Sequence, residues 1–423
     1  MPKIIVAAPP VSGELAPLLE LARRLAGRGH QITVLTGSRF RTEVEEGGLG
    51  FEPLTGAADF DDRLYGDLPE RADLAPGPEQ LNFDWIHAFA DPMPDQHARL
   101  QELLERDPDQ YLISNALFLG ALPPALGAPG RKPLRWVAVS AVPLALSSQD
   151  TTFFGPVPVG PGQDPKAANR AANAEFAAAM RPVQDRINEL LHTLGAQQTF
   201  PAFVDGIITV PDRTAALTVP GFEFDRGDAP DSVHLVGTLT PQHAADWRPP
   251  SWWSDLDGSR PVVVVTQGTM ANRDLSQLIE PALAALADLD VTVVAALGRE
   301  LEALSVPLPA NARAAEYIPF AALLPKADLL ITNGGAGGIH QALSAGVPVI
   351  AAGLTEDKPA NAARIAHHGL GAGLQTATPT AEVLAETAEK VLKDTEIHDN
   401  VQRLKRVYEG LDTVAEIERL TIG

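Results

Sequence analysis

Four glycines stand within residues 334–338, and this run is the feature that most constrains how the chain can fold. The apolar residues 329–332 before it predict a buried strand, and the spacing of Ile339, Ala342 and Leu343 after it predicts a helix. A glycine loop between a strand and a helix leaves the free N–H groups of the helix N-terminus uncovered. Because such an end attracts anions, we expect a phosphate-binding loop here. A tight turn that only packs the helix against a sheet is the alternative.

A longer pattern continues from this loop. After Asn333 and the glycines, the chain reads Gln-Ala-Leu-x-x-Gly-Val-Pro at 341–348, Asp-Lys-Pro-x-Asn-Ala at 357–362 and Gly-x-Gly at 369–371. In content and spacing the pattern resembles the sugar-donor-binding signature of family 1 glycosyltransferases, the UDP-glycosyltransferase superfamily, of the bacterial macrolide and natural-product type. The stretch from Gly13 to Thr33 resembles the N-terminal signature of that family. The resemblance implies an α/β protein with the GT-B fold, in which two Rossmann-like domains with parallel sheets face each other across a cleft.

The apolar runs independently predict two α/β domains, and 423 residues exceed what one core usually accommodates. Strands are predicted at 3–8, 32–35, 112–114, 136–140, 207–209, 215–218, 233–236, 262–266, 291–296, 314–318, 329–332 and 347–352. Residues 167–194 are predicted to be helical, and residues 51–93 show no regular pattern. We predict an N-terminal acceptor-binding domain over 1–237, a proline-rich linker over 238–255 and a C-terminal nucleotide-sugar-binding domain over 256–397. By resemblance, a C-terminal helix over 398–423 crosses back to the first domain.

Composition excludes several classes of function. A net charge of −21 argues against a nucleic-acid partner, and the absence of cysteine excludes disulfides and cysteine-ligated zinc. No apolar run approaches the ~20 residues that span a bilayer, so we expect no integral membrane segment and a cytoplasmic protein. Three Asp-x-Asp triplets, at 59–61, 255–257 and 288–290, are interpreted as chance occurrences, so no metal site is predicted. We expect a monomer or a homodimer.

The resemblance assigns the sugar-donor site residue by residue. The glycine loop would hold the diphosphate, the 267–269 loop would approach it from the other side, Asp357 and Lys358 would bind the sugar, and Tyr317 would stack on the base. The family usually has His at Asn333 and Gln at Lys358. The alternatives are a turn residue for Asn333, a solvated charged turn for Asp357 and Lys358, and a core tyrosine at a strand end for Tyr317. The predicted donor-binding residues are Gly13, Gln267, Gly268, Thr269, Tyr317, Ile318, Asn333, Gly335, Ala336, Gly337, Gly338, Ile339, Asp357 and Lys358.

The predicted catalytic residues depart from the family pattern. The family usually has a His directly after the glycine matching Gly13, paired with an Asp, and this chain has Glu14 and Asn115 at those places. We predict Glu14 as the general base, since a carboxylate can accept the proton of an acceptor hydroxyl. A carboxylate that only complements the helix dipole is the alternative. His87 and His97 are fallback bases.

The predicted function is that of an inverting, metal-independent glycosyltransferase. The sugar would pass from UDP-glucose or a dTDP-sugar, a co-substrate in place of any cofactor, to a hydroxyl of a hydrophobic small molecule, as in antibiotic biosynthesis or modification. The predicted acceptor-binding residues are Trp85, His87, Phe89, Phe118, Phe153 and Phe154. One alternative is a catalytically impaired relative that serves as a sugar-nucleotide-binding auxiliary protein. Another is a GT-B sugar-nucleotide epimerase or hydrolase.

Overall fold

The chain folds into two α/β units. The computed structural model describes residues 1–65, 68–74, 78–239, 247–268 and 272–423. Unit 1 consists of Met1–Leu217, Asp225–Leu239 and Asp412–Gly423, and unit 2 consists of Thr218–Phe224 and Thr240–Leu411.

The sheet of unit 1 is parallel and has the strand order β3-β2-β1-β4-β5-β6-β7. Ile5 and Ala7 of the first strand face one hydrophobic core, and Ile4 and Val6 face the other, so the sheet is covered on both sides. The strands are β1 (Lys3–Ala7), β2 (Gln31–Thr36), β3 (Gly50–Pro53), β4 (Gln110–Asn115), β5 (Trp136–Ser140), β6 (Arg213–Ala216) and β7 (Val233–Leu235).

Helices lie in the connections between successive strands from β1 to β6, as is usual for parallel crossovers, whereas residues 217–232 between β6 and β7 contain no helix. A π-helical turn, Ile86–Ala90, lies between the fifth and sixth helices. The helices are α1 (Ser12–Gly27), α2 (Arg41–Glu46), α3 (Asp62–Tyr65), α4 (Pro69–Ala72), α5 (Pro78–Trp85), α6 (Met93–Arg106), α7 (Leu122–Ala125), α8 (Pro165–Ala179), α9 (Arg181–Thr193) and α10 (Phe203–Thr209).

The sheet of unit 2 is also parallel and has the order β10-β9-β8-β11-β12-β13. Its strands are β8 (Val262–Thr266), β9 (Thr292–Ala296), β10 (Ala312–Ala315), β11 (Leu329–Thr332), β12 (Val349–Ala352) and β13 (Gly371–Leu374). Its helices are α11 (Ile279–Leu286), α12 (Phe320–Leu323), α13 (Ala336–Ala345), α14 (Lys358–His367), α15 (Ala381–Lys393) and α16 (Thr395–Glu409). The last helix of the chain, α17 (Thr413–Ile422), belongs to unit 1.

Each sheet has one point where the strand order reverses. In unit 1 it lies between β1 and β4, where Ala7 pairs with Ser114, and in unit 2 between β8 and β11, where Thr266 pairs with Thr332. Loops at the carboxyl ends of parallel strands diverge at such a switch point and leave a crevice that binds ligands. The switch points therefore define where to look for function in each unit.

Three elements differ from the sequence-based predictions. Residues 207–209 were predicted as a strand, and this is wrong, because they end α10. A short apolar run does not distinguish a strand from a buried helix, and here Gly206 packs so closely that an added β-carbon would lie 2.4 Å from the ring of Phe200. Strands β3 and β13 were not predicted. Both are short and contain glycine, and at Gly371 an added β-carbon would lie 1.9 Å from the carbonyl oxygen of Val349.

Two predicted helical regions are each divided in the structure. The region 167–194 is broken between α8 and α9, next to Pro182. The predicted helix over 398–423 is two helices, since α16 ends at Glu409 in unit 2 and α17 begins at Thr413 in unit 1. Asp412 caps the second of these helices, with its carboxylate accepting a hydrogen bond of 3.0 Å from the N–H of Ala415.

Candidate functional site

Two loops are joined at the switch point of unit 2. Asn333, directly after β11, donates a hydrogen bond of 2.6 Å from Nδ2 to the carbonyl oxygen of Gln267, directly after β8. Gly268 and Gly334 follow with φ angles of +73° and +97°, a conformation that favours glycine. The predicted donor-site residue Asn333 thus braces the two loops through its side chain.

The N-terminus of α13 opens from this brace without a side-chain cap. The first backbone hydrogen bond of the helix runs from the N–H of Ile339 to the carbonyl oxygen of Gly335, so the preceding N–H groups have no partner within the helix. An added β-carbon would meet nothing within 4 Å at Gly337, and its nearest neighbour at Gly335 would be 3.9 Å away. Neither residue has a positive φ. The fold therefore does not require glycine at these two positions, whereas the close approach of a ligand would.

The loop after β12 brings the predicted sugar-binding residues next to the glycine loop. Asp357 accepts a hydrogen bond of 2.9 Å at Oδ2 from Nδ2 of Asn361, and the same nitrogen donates over 2.9 Å to the carbonyl oxygen of Gly334. Burial raises the pKa of the Asp357 carboxyl, and the bond from Asn361 opposes that rise. Lys358 is buried, and its Nζ contacts Oγ1 of Thr355 at 3.0 Å and the carboxylate of Glu356. Asn361 was not predicted as a site residue, although it lies in the motif at 357–362.

The remaining predicted donor residues have different surroundings. Tyr317 is 62% exposed just beyond β10, so its ring offers a face for stacking, whereas the side chain of Ile318 lies in the core of unit 2. Gln267 is buried, with its side chain donating to the carbonyl oxygen of Asp274 and accepting from the N–H of Ile279. The Gln267 side chain thus holds the loop before α11. Thr269 lies outside the described residues.

The switch point of unit 1 brings the two predicted catalytic residues together. Asn115, the last residue of β4, is completely buried, and its Nδ2 donates to Oε2 of Glu14 over 2.6 Å. Its Oδ1 accepts a hydrogen bond of 2.8 Å from the N–H of Leu117, which fixes the amide with its NH₂ group toward the carboxylate. Glu14 lies in the first turn of α1, next to the exposed Gly13. The site is therefore an oriented carboxylate with an amide partner.

A polar network occupies the start of α1. The N–H and hydroxyl of Ser12 both donate to Oδ2 of Asp62, over 2.8 and 2.9 Å. Arg39 donates over 2.6 Å to the same hydroxyl and pairs with Asp62. The first N–H group of this helix is thus already bonded to a carboxylate of the protein.

The two fallback histidines differ in their environments. His87 lies in the π-helical turn, with Nδ1 at 2.8 Å from Asp91, and Asp91 accepts a hydrogen bond of 2.7 Å from Nε of Arg186. His97 contacts the carbonyl oxygen of Gly120 through Nδ1 at 3.1 Å, and burial lowers its pKa. A histidine oriented by a carboxylate therefore exists at His87. Its partner Asp91 was not predicted, although the spacing of four residues in a helical segment was a usable signal.

Four of the five predicted acceptor-binding aromatics form two groups. Trp85 packs on Phe89 and on Phe203, with ring centroids 5.1 and 4.7 Å apart. Phe153 and Phe154 cluster with Phe176 of α8, which was not predicted, and Phe154 is 50% exposed. Phe118 is completely buried in the core of unit 1. The structure therefore offers no accessible Phe118 ring to an acceptor.

Two further properties concern the described part of the chain. Within it, no group of three or more His, Cys, Asp and Glu side chains is arranged to hold a metal ion. Across the same residues, no helix has the length and apolar content needed to cross a membrane.

Comparison with known proteins assigns the chain to a family. Residues 280–417 match the protein-family model described as "Erythromycin biosynthesis protein CIII-like, C-terminal domain". UDP-glycosyltransferase 2 of Phaeomoniella chlamydospora is 35% identical over 429 residues, which cover 98% of this chain and 94% of that protein. The chain belongs to the family 1 glycosyltransferases. The 4'-demethylrebeccamycin synthase of Lentzea aerocolonigenes is 34% identical to this glycosyltransferase over 432 residues, which cover 100% of this chain and 99% of that protein.

Solved structures give the fold of this glycosyltransferase. The crystal structure of the glycotransferase of kitacinnamycin matches with a TM-score of 0.74 at 23% sequence identity, over 99% of this chain and 100% of that one. The predicted GT-B fold is confirmed. The family assignment and the glycosyltransferase activity predicted from the sequence are confirmed as well.

Proposed function

We propose that this glycosyltransferase moves a sugar from a nucleoside diphosphate sugar to a hydroxyl of a hydrophobic small molecule, with inversion and without a metal ion. The acceptor oxygen would form a bond to the anomeric carbon as its proton passes to Glu14. The bond from that carbon to the diphosphate would break, and the diphosphate would leave with the electron pair. Unit 2 would bind the sugar donor and unit 1 the acceptor.

The observation that carries this proposal is the uncapped N-terminus of α13. Its glycines leave the N–H groups accessible, and the partial positive charge of the helix end favours an anion. Charge that develops on a departing diphosphate would be stabilised there by dipoles that are already oriented. A divalent cation would then be unnecessary, so chelation with EDTA is expected to leave the rate unchanged.

The proposed base is Glu14, because Asn115 holds its carboxylate in one orientation. The backbone N–H of Leu117 fixes the amide, so the pair is preorganised before any acceptor binds. Inversion follows from a single displacement, in which no enzyme side chain bonds to the sugar.

The class of sugar donor and acceptor is supported by the names of the relatives. One relative is a UDP-glycosyltransferase, and another, 4'-demethylrebeccamycin synthase, makes a natural product. In unit 1 the exposed Phe154 and its aromatic neighbours would suit a planar, apolar acceptor. UDP- and dTDP-sugars with phenolic or macrocyclic alcohols are therefore the substrates to test.

The deciding experiment measures nucleotide release from a panel of UDP- and dTDP-sugars, with and without these acceptors, for the wild type and Glu14→Gln. We expect release to require an acceptor, and the variant to lose on the order of 10²–10⁴ in kcat while it binds the diphosphate normally. NMR of the product would show the anomeric configuration inverted. A matched variant, His87→Gln, is expected to retain more than a third of the wild-type kcat.

Three outcomes would contradict parts of this proposal. Release without an acceptor would favour a hydrolase or epimerase, and binding without turnover would favour an auxiliary protein. An unchanged kcat in Glu14→Gln together with a loss in His87→Gln would assign the base to the histidine that Asp91 orients.

A further inference from the structure

One buried amide connects the two loops of unit 2 that carry the proposed sugar-donor site. Asn361 lies in the first turn of α14 and is completely buried. Its Nδ2 donates to the carbonyl oxygen of Gly334 and to Oδ2 of Asp357, each over 2.9 Å. A single NH₂ group therefore bridges the glycine loop after β11 and the acidic residue after β12.

The orientation of this amide has one solution. Both groups next to Nδ2 are acceptors, so a flipped amide would place Oδ1 against a carbonyl oxygen and a carboxylate. In the observed orientation Oδ1 is buried and has no hydrogen-bond partner. An unsatisfied buried acceptor destabilises a fold and requires an explanation. The bridge is thus kept although half of the same side chain remains unsatisfied.

Among the charged side chains of this loop, Asp357 is the one that Asn361 contacts. The neighbouring Lys358 is directed to Thr355 and Glu356. The bond from Asn361 occupies Oδ2 of Asp357 and fixes the plane of the carboxylate, while Oδ1 takes no part in that bond. A fixed carboxylate pays less entropy on binding a hydroxyl than a mobile one.

We propose that Asn361 is a positioning residue, which holds the Asp357 carboxylate at a set distance from the glycine loop so that the sugar is recognised in register with its diphosphate. The inference rests on the proposed function, since it takes Asp357 as the group that binds sugar hydroxyls. Asn361 acts through Asp357 and touches no substrate. It therefore controls the binding and discrimination of the sugar rather than of the nucleotide.

The test is a double-mutant cycle of Asn361→Ser and Asp357→Ala. A serine hydroxyl in a helix can bond to the carbonyl oxygen four residues earlier, here that of Asp357, so the new side chain leaves no unsatisfied donor. The two measurements are kcat/KM for the nucleotide sugar with the highest turnover, and the Kd of the free diphosphate of the same base by calorimetry. Asn361→Ala is the second variant should the serine form fail to fold.

We expect Asn361→Ser to lower kcat/KM by on the order of tenfold or more, the effect of losing a hydrogen bond to a charged group. The Kd of the diphosphate is expected to change by less than about threefold, because the N–H groups of α13 remain in place. Turnover ratios between epimeric sugars should fall toward one. With Asp357 already replaced, Asn361→Ser should cost less than about threefold, since coupled residues are not additive.

Asn311 provides a matched control. Its Nδ2 also donates to backbone carbonyl oxygens in unit 2, those of Leu286, Leu289 and Val291, and its Oδ1 is also buried without a partner. It directly precedes β10, at the amino end of the sheet, away from the loops at the carboxyl ends. Asn311→Ser is expected to lower the thermal midpoint with no change in sugar discrimination.

Two results would overturn the proposal. Multiplicative effects in the cycle would show that Asn361 does not act through Asp357. A loss of diphosphate affinity equal to the loss in kcat/KM would show that it supports only the glycine loop. Failure of the proposed function would show in another measurement. An unchanged kcat/KM in Asp357→Ala would mean that Asp357 does not recognise the sugar, whatever the effect of Asn361→Ser.

Discussion

The two units share the order of their first six strands, to which unit 1 adds β7, but they present opposite chemistry at their switch points. In both, an asparagine follows the residue that ends the ladder between the first and fourth strands, Asn115 after Ser114 and Asn333 after Thr332. In both, its Nδ2 donates over 2.6 Å to a residue beyond the first strand, in the first turn of α1 in unit 1 and in the loop after β8 in unit 2. The acceptor is the Glu14 carboxylate in unit 1 and the carbonyl oxygen of Gln267 in unit 2. One amide thus orients a negative charge, and the other braces backbone.

The N-termini of α1 and α13, the helices that follow these first and fourth strands, also differ in charge. The first N–H of α1 is bonded to Asp62 within the protein, whereas α13 has no side-chain cap and is surrounded by glycines. Unit 1 therefore gives the first N–H of its helix a carboxylate partner and presents a second carboxylate, that of Glu14, which suits proton acceptance. Unit 2 leaves its helix N-terminus for a ligand, which suits an anion. One architecture supports both roles because function depends on the side chains at the switch point rather than on the fold.

Among the changes that test this comparison of the two units, the largest effect should come from filling the helix end of unit 2. Gly337→Asp places a carboxylate in open space at the N-terminus of α13, where it stabilises the helix by roughly 0.3–1 kcal/mol. The same charge would repel the diphosphate, so UDP affinity should fall by on the order of 100-fold, the size of a close charge repulsion near a protein surface. Calorimetry with UDP tests the predicted loss of affinity, and thermal unfolding tests the predicted gain in stability.

The neutral variant Gly337→Asn is the control for this change. It has nearly the same volume, so the difference between the two variants isolates charge from steric exclusion. Normal UDP binding by Gly337→Asp would show that α13 does not hold the diphosphate, and the contrast between the two helix ends would lose its functional meaning.

A smaller effect should distinguish the roles of the two asparagines, Asn115 and Asn333, through the pH dependence of kcat/KM. Asn115→Asp keeps the acceptor for the N–H of Leu117 but sets two carboxylates at the 2.6 Å contact with Glu14. Such a pair retains one proton at neutral pH, so kcat/KM at pH 7 should fall roughly 10–100-fold and recover as the pH rises. The measurement is the pH dependence of kcat/KM.

The corresponding change in unit 2 should leave that pH profile in place. Asn333→Asp loses the bond to Gln267 and adds a negative charge beside the glycine loop, so UDP affinity should fall by about tenfold. If Asn333→Asp moved the pH profile, or Asn115→Asp left it unmoved, the division of roles between the two units would be wrong.

The sequence predicted backbone features better than side-chain partners. Strands at 136–140, 262–266 and 329–332 coincide with the structure, because continuous apolar runs are typical of buried parallel strands. The resemblance placed Glu14 and Asn115 at matching motif positions, and the structure brings them into contact. Partners such as Asn361 and Asp91 were missed, since a hydrogen bond depends on how loops converge rather than on local pattern. Nor does composition tell an exposed ring such as Tyr317 from a buried one such as Phe118.

The last predicted effect concerns the stability of unit 2 rather than binding or turnover. His340 of α13 is buried, shares a hydrogen bond of 2.6 Å with the hydroxyl of Tyr408 and packs on Phe222. Desolvation lowers the pKa of His340 to about 4, with Glu223 opposing and Arg364 reinforcing the shift. In the unfolded chain the same side chain takes up a proton near pH 6.5, its ordinary pKa. Between these values the unfolded state binds more protons than the folded state.

This difference in bound protons determines how the free energy of unfolding changes with pH. The stability contributed by neutral His340 is complete above about pH 6.5 and is lost as the pH falls toward about 4, by up to about 3 kcal/mol. Because His340 lies in the helix that carries the glycine loop, the protection factors of the amides of residues 336–345, which are corrected for the intrinsic pH dependence of exchange, should fall in this range. His340→Gln cannot titrate and retains a partner for Tyr408, so its protection factors should depend less on pH than those of the wild type. Equal pH dependence in both proteins would assign the acid sensitivity elsewhere, and peptides from β1 would report whether it lies in unit 1, where burial also lowers the pKa of His97.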